Sequence, residues 1–149
     1  MTHTRTQGFS MIELVLVLAL VGVVAFFTVP LSLSALSRSA VAQERDLFVS
    51  LLLRGARAAA LANINEKSHG IHIDNSTKEY VLFEGTTYTA GVATNREIPF
   101  TNDTISVSGA TDIVFEQLSG NVANQVTLNI TNGAQSDDII IRRTGQIDW

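Results

Sequence analysis

The chain has 149 residues, of which 46% are hydrophobic and none is cysteine, and its 10 basic and 14 acidic residues give a formal net charge of −4. This composition excludes a disordered chain, a collagen-like repeat and a disulfide scaffold. The acidic balance also argues against a protein that binds nucleic acids by general electrostatic attraction.

The charged residues are unevenly distributed along the chain. Only Arg5 and Glu13 lie in the first 36 positions, and the apolar segment from residue 9 to residue 29 is 21 residues long. As a helix it would be about 31 Å long at ~1.5 Å per residue, close to the ~30 Å hydrocarbon core of a membrane. We therefore expect it to cross a membrane once, although Arg5 and Arg38 at its two ends leave its orientation open.

Two simple interpretations account for only part of this segment. A secretory signal peptide would be cleaved after small residues such as Ala40-Val41-Ala42, but Pro30 ends the apolar run well before them. A generic membrane anchor explains the length of the run and leaves the residues that precede it unexplained.

The residues at the start of the run form a specific motif, which reads Gly8-Phe9-Ser10-Met11-Ile12-Glu13-Leu14. Together with the apolar run and Pro30, it closely resembles the class III signal of type IV pilins and type II secretion pseudopilins. The resemblance implies that a prepilin peptidase removes residues 1–8 by cleaving between Gly8 and Phe9, and that the new N-terminus of Phe9 is methylated.

Glu13 is the one charge within the apolar run. A carboxylate in the hydrocarbon region costs roughly 2.5–3.5 kcal/mol on insertion scales, so it needs a cation. Cleavage would supply one, because the amide nitrogen of Phe9 becomes a charged amine four residues before Glu13 on the same helix face. The resemblance implies that Glu13 meets the Phe9 amine of a neighbouring subunit and sets the register of a filament. The alternative is that Glu13 only favours a helix N-terminus.

The residues after Pro30 remain favourable for a helix up to Asn63. We therefore expect one long helix, bent at Pro30, whose first part, residues 9–30, lies in the membrane or filament core. Residues 31–63 form its amphipathic part. The spacing predicts an apolar stripe at Leu36, Ala40, Leu47, Leu51, Ala58 and Ala62. Charged residues are expected off this stripe, at Arg38, Glu44, Arg45 and Arg57.

Short β-prone segments follow the helix, at residues 70–74, 79–83, 96–100, 104–108, 112–115, 125–131 and 138–142. Turn-forming residues separate them at 74–77 and 132–133. Strands that follow one helix, without helices between them, predict an α+β fold in which an antiparallel sheet packs on that helix. The predicted head is residues 64–149.

Three later segments, residues 57–63, 115–120 and 139–147, are similar to segments of the H-type minor pseudopilins, a group that includes the FimT-type minor pilins. The resemblance implies a pilin-like subunit that crosses the bacterial inner membrane once, with a cytoplasmic N-terminus and a periplasmic head. The implied partners are other pseudopilins or pilins, the prepilin peptidase, the inner-membrane assembly platform and membrane lipid. The implied function is export of folded proteins across the outer membrane by a pseudopilus. The alternative is a minor type IV pilin that primes pili for adhesion, motility or DNA uptake.

The sequence contains no phosphate loop, nucleophile elbow or dinucleotide fingerprint, so we expect no enzyme and no cofactor. His69 and His72 fall on opposite faces of a predicted strand, and Asp137-Asp138 is expected in a solvated turn, so no metal site is predicted. Arg142 and Arg143 also point to opposite sides of a strand, and we expect no nucleic-acid partner.

Overall fold

A computed structural model describes residues 10–149, without the side chains of residues 26–37. Helix α1 spans Met11–Leu47, a π-helical segment spans Phe48–Leu53, and helix α2 spans Arg54–Leu61. A short 3₁₀ turn, Ile64–Glu66, leads into the strands. Residues 37–149 form one compact unit, and the described residues before them belong to a second.

Eight strands follow the helices, and all their pairings are antiparallel. They are β1 His69–Asp74, β2 Glu79–Glu84, β3 Arg96–Pro99, β4 Ser106–Ser108, β5 Asp112–Phe115, β6 Val126–Thr131, β7 Ser136–Ile141 and β8 Ile147–Asp148. The first sheet has the order β3-β2-β1-β5, and the second has the order β4-β6-β7-β8. The predicted α+β class is confirmed, but two sheets replace the single sheet expected, because the spacing of strands along the chain does not determine their pairing.

The central hairpin of the second sheet follows the predicted alternation of apolar and polar residues. Leu128 lies opposite Ile139, Ile130 and Ile141 lie on the same face, and all four side chains are fully buried. The predicted turn at 132–133 connects β6 to β7. Gly133 has a φ of 84° there, which an L-residue adopts only with strain.

The predicted apolar stripe of the long helix is displaced from the observed one. Leu51 is 63% exposed, whereas Phe48 and Leu52 are fully buried. The buried face lies one residue later than predicted, and this difference begins before the π-helical segment, at Val41. Glu44, expected off the stripe, is completely buried.

One hydrophobic core joins the helix to both sheets. Phe48 packs against Tyr80 of β2 with ring centroids 4.8 Å apart, and Tyr80 packs against Phe100 at 4.5 Å. The second sheet contributes Leu128, Ile130, Ile139 and Ile141 of β6 and β7 to the same cluster. Because this packing fixes the residues from Val41 onward, the polar groups described below have defined positions.

Candidate assembly surface

The N-terminal end of α1 carries the predicted register residue, Glu13. The helix begins at Met11, and the carbonyl oxygen of Ser10 accepts hydrogen bonds from the backbone nitrogens of Glu13 and Leu14 at 3.0 and 3.1 Å. Glu13 therefore lies in the first turn and is exposed. A carboxylate at this position interacts favourably with the helix dipole.

Gly8 and Phe9 lie outside the described residues. Cleavage between them, methylation of Phe9 and its pairing with Glu13 therefore stay predictions. Helix α1 includes Pro30 without interruption. The bend predicted at Pro30 also stays a prediction.

The first half of α1 presents an apolar surface. Eleven large apolar side chains of this segment are between 51% and 86% exposed, namely Met11, Ile12, Leu14, Val15, Leu16, Val17, Leu18, Leu20, Val21, Val23 and Val24. A contiguous exposed apolar surface of this kind marks a site of contact with protein or membrane. Within the described residues, no helix combines the length and the apolar character needed to cross a membrane.

The second half of α1 carries a buried carboxylate that sequence reasoning missed. Glu44 Oε1 accepts a hydrogen bond of 2.7 Å from the Tyr80 hydroxyl. Glu44 Oε2 accepts a second, of 2.7 Å, from the backbone nitrogen of Thr101, and a third from the Thr101 hydroxyl. Burial raises the pKa of Tyr80 above its ordinary value of 10.0, and the negative charge of Glu44 raises it further. These bonds connect the helix to the first sheet.

The next residue connects the same helix to the second sheet. Arg45 Nη1 donates a hydrogen bond of 2.7 Å to Asp137 of β7, and Arg45 Nη2 bonds Asp46 at 2.9 Å. The hydrogen bond to Asp46 is the main cause of a raised pKa of Arg45. The solvated turn expected at Asp137-Asp138 is wrong, because the turn ends earlier and both residues belong to β7. Glu44 thus connects the helix to the first sheet, and Arg45 connects it to the second.

The three segments that resemble the H-type subgroup meet at the end of α2. The backbone nitrogen of Leu118 donates to the carbonyl of Ala60 at 2.9 Å. The Arg57 guanidinium donates to the carbonyls of Gly120 and Thr144 at 3.4 and 3.2 Å. Segments that are far apart in the sequence therefore make contact with one another at α2.

The polar residues considered for chemistry are each engaged separately. His69 Nε2 lies 3.0 Å from the carbonyl oxygen of Ile64, and His72 Nδ1 lies 2.7 Å from Asp112 Oδ1. Arg142 pairs with Asp148 at 2.6 Å. In residues 10–149, no three side chains of histidine, aspartate or glutamate form a group suited to a metal ion.

No protein-family model and no curated protein matches this chain. Among solved structures, the minor pseudopilin EpsH from the Type 2 Secretion System of Vibrio cholerae is similar, with a TM-score of 0.51 and 13% sequence identity. The match covers 73% of this chain and 94% of that one. The resemblance to H-type minor pseudopilins, first noted in the sequence, is thereby confirmed at the level of the fold: the chain has the fold of a minor pseudopilin.

Proposed function

We propose that this protein is a minor pseudopilin, a structural subunit of a type II secretion pseudopilus that helps to export folded proteins across the outer membrane. One combination supports the proposal: a head with the fold of a minor pseudopilin follows an apolar helix, and the Gly8-to-Glu13 motif stands at the start of that apolar segment in the sequence. The fold alone does not require such a helix, and the motif alone does not require such a head.

The first half of α1 is proposed to hold the subunit in the inner membrane before assembly, with the N-terminus in the cytoplasm and the head in the periplasm. Its exposed apolar side chains support this role, since burial of ~25 cal/mol per Å² of apolar surface favours transfer from water to lipid. In the filament, the same side chains would pack against the helices of neighbouring subunits. The apolar surface of α1 would thus contact lipid first and other pseudopilins or pilins after assembly.

Glu13 is proposed to set the register between subunits. It is the only charged residue from 10 to 37, and its position in the first helical turn leaves its carboxylate exposed to a neighbour. The proposed counter-charge is the methylated amine of Phe9, which the prepilin peptidase creates when it cleaves after Gly8. An inner-membrane assembly platform would then bring the processed subunits together.

The remaining residues fit a structural role without catalysis or a cofactor. Glu44 and Arg45 use their polar groups to connect elements of the head. We therefore propose that the protein acts by assembly alone.

A gene deletion, complemented with the wild-type chain, tests the proposed function. The expected result is loss of exported enzymes from the medium while type IV pili remain normal, with export restored to the wild-type level by complementation. Loss of pili with normal export would instead assign the protein to the alternative class, the minor type IV pilins. Mass spectrometry tests the processing separately, and an intact Met1 would contradict it.

A further inference from the structure

The two sheets have four edge strands, and three of them are protected against further pairing. At β4, the Asn75 side chain bonds both backbone groups of Val107, at 2.9 and 2.7 Å. At β3, Pro99 has no backbone donor and Glu97 adds an exposed charge. The edge strand β8 of the second sheet has only two residues, and a very short edge strand offers little backbone for pairing.

The remaining edge, β5, is open. The backbone nitrogen of Ile73 donates to the carbonyl of Thr111 at 2.9 Å, so this pair and every second pair along the β1–β5 ladder exchange hydrogen bonds. By this alternation the backbone groups of Asp112 and Val114 point away from β1. In residues 10–149 they have no backbone partner on that side. Unpaired strand edges are templates for pairing with another chain.

A groove of about 380 Å³ runs beside this edge. Its apolar lining includes Ile113 and Val114 of β5 together with Val122 and Val126. Side chains of alternate residues in an added strand would point into this space.

The rim of the groove is acidic. Its charged residues are Asp112 and Glu116, and it contains no lysine or arginine. Asp112 contacts His72, and Glu116 accepts a hydrogen bond of 3.3 Å from the Ser119 hydroxyl. Neither acidic residue is paired with a lysine or arginine in the described part of the chain.

We propose that β5 binds an extended segment of another protein, which adds a fifth strand to the first sheet. Its backbone pairs with Asp112 and Val114, an apolar side chain enters the groove, and flanking lysine or arginine residues face the acidic rim. This is strand addition, in which main-chain bonds supply affinity and side-chain pockets supply specificity. The proposal does not depend on the secretion function.

The test uses the full chain in detergent micelles and a synthetic peptide, Lys-Thr-Val-Thr-Val-Thr-Lys, as the probe. Saturable binding that slows hydrogen exchange at the Val114 amide is the expected result. A peptide with N-methyl groups on every residue, which has no backbone donor along either edge, should not bind. Equal binding of the two peptides, or no binding of either, overturns the proposal.

Val114→Pro removes one outward donor without removing a bond to β1. It should weaken peptide binding about tenfold, the effect of one hydrogen bond of roughly 1.4 kcal/mol. Glu97→Pro is the matched control, because it removes the equivalent outward donor of β3, and it should leave affinity unchanged. If Val114→Pro unfolds the head, Glu116→Gln replaces it as the test variant. Glu116→Gln should weaken binding of the basic peptide and leave binding of a peptide without lysine unchanged. Equal loss in both edge variants, or no loss at Glu116→Gln, contradicts the assignment.

Light scattering distinguishes a second occupant. If β5 pairs with β5 of another copy, the wild-type protein is a dimer that Val114→Pro converts to a monomer. That result would overturn the assignment of this edge to a different protein.

Discussion

The Tyr80 hydroxyl donates a hydrogen bond of 2.7 Å to the Glu44 carboxylate, and both side chains are completely buried. A charged group in this position lowers stability unless hydrogen bonds replace the lost water. Three donors from Tyr80 and Thr101 do so here. The helix can therefore carry a buried carboxylate, since hydrogen bonds from Tyr80 and Thr101 replace those that water would make.

Replacing Glu44 should destabilise the head strongly. Glu44→Ala leaves a buried hydroxyl and a backbone nitrogen without an acceptor, so we expect the free energy of unfolding to fall by about 3 kcal/mol or more. The measurement is chemical denaturation of the full chain in micelles, followed by circular dichroism. Asp46→Ala, an exposed change in the same helix, should cost less than about 1 kcal/mol. Equal costs for the two variants would contradict a special role for Glu44.

Tyr80 should make the head sensitive to alkali. Its pKa in the folded protein is raised above 10, so the unfolded chain releases this proton first as the pH rises. Stability from Tyr80 is complete below about pH 10 and is lost above it, with a slope of up to about 1.4 kcal/mol per pH unit.

Tyr80→Phe lacks the ionisable hydroxyl and provides the comparison for this alkaline loss. The stability difference between wild type and Tyr80→Phe should be constant from pH 7 to pH 9 and shrink above pH 10. A difference that stays constant to pH 11 would show that the folded pKa of Tyr80 is ordinary.

The sequence predicts those features that depend on local spacing. In β6 and β7, apolar and polar residues alternate at every second position, and the turn at Gly133 lies within four residues. The sequence pattern alone therefore identifies both features. Glu44 differs because its partners lie 36 and 57 positions away. No local pattern distinguishes a carboxylate that meets a buried tyrosine from one that faces water.

The sequence pattern also did not predict which face of the long helix is buried. The predicted stripe places Leu47 and Leu51 on the buried face, whereas Val41, Phe48 and Leu52 occupy it. Both sets fit a period of 3.6 residues, so periodicity alone does not choose between them. The open edge of β5 was equally hidden, because it depends on which strands pair and not on where they occur.

Gly145 should be less tolerant of substitution than Gly133, although both have positive φ, at 72° and 84°. A Cβ at Gly145 would overlap the carbonyl oxygen of Gly120 and lie 2.6 Å from Arg57 Nε, whereas a Cβ at Gly133 meets nothing within 4 Å. We expect Gly133→Ala to cost about 1 kcal/mol from backbone strain and Gly145→Ala roughly 1–3 kcal/mol more from overlap. Thermal unfolding of the two variants measures the difference, and equal melting temperatures would show that the end of α2 adapts easily.

Glu13 should be needed for assembly and not for insertion. Glu13→Ala removes the proposed partner of the Phe9 amine but lengthens the apolar run, so the variant should reach the membrane fraction at wild-type levels. Incorporation into filaments should fall severalfold, because a charged pair within an apolar helix bundle determines which axial positions are favourable. The measurement is the ratio of the subunit in sheared filaments to that in membranes.

Two further substitutions separate charge from size at this position. Glu13→Asp keeps the charge and should retain part of the incorporation, whereas Glu13→Gln keeps the shape and should fail as Glu13→Ala does. If Glu13→Gln incorporates normally, the carboxylate contributes only to the start of the helix and the register role is wrong. If all three variants are absent from the membrane, the residue acts before assembly, because a defect in register leaves insertion intact.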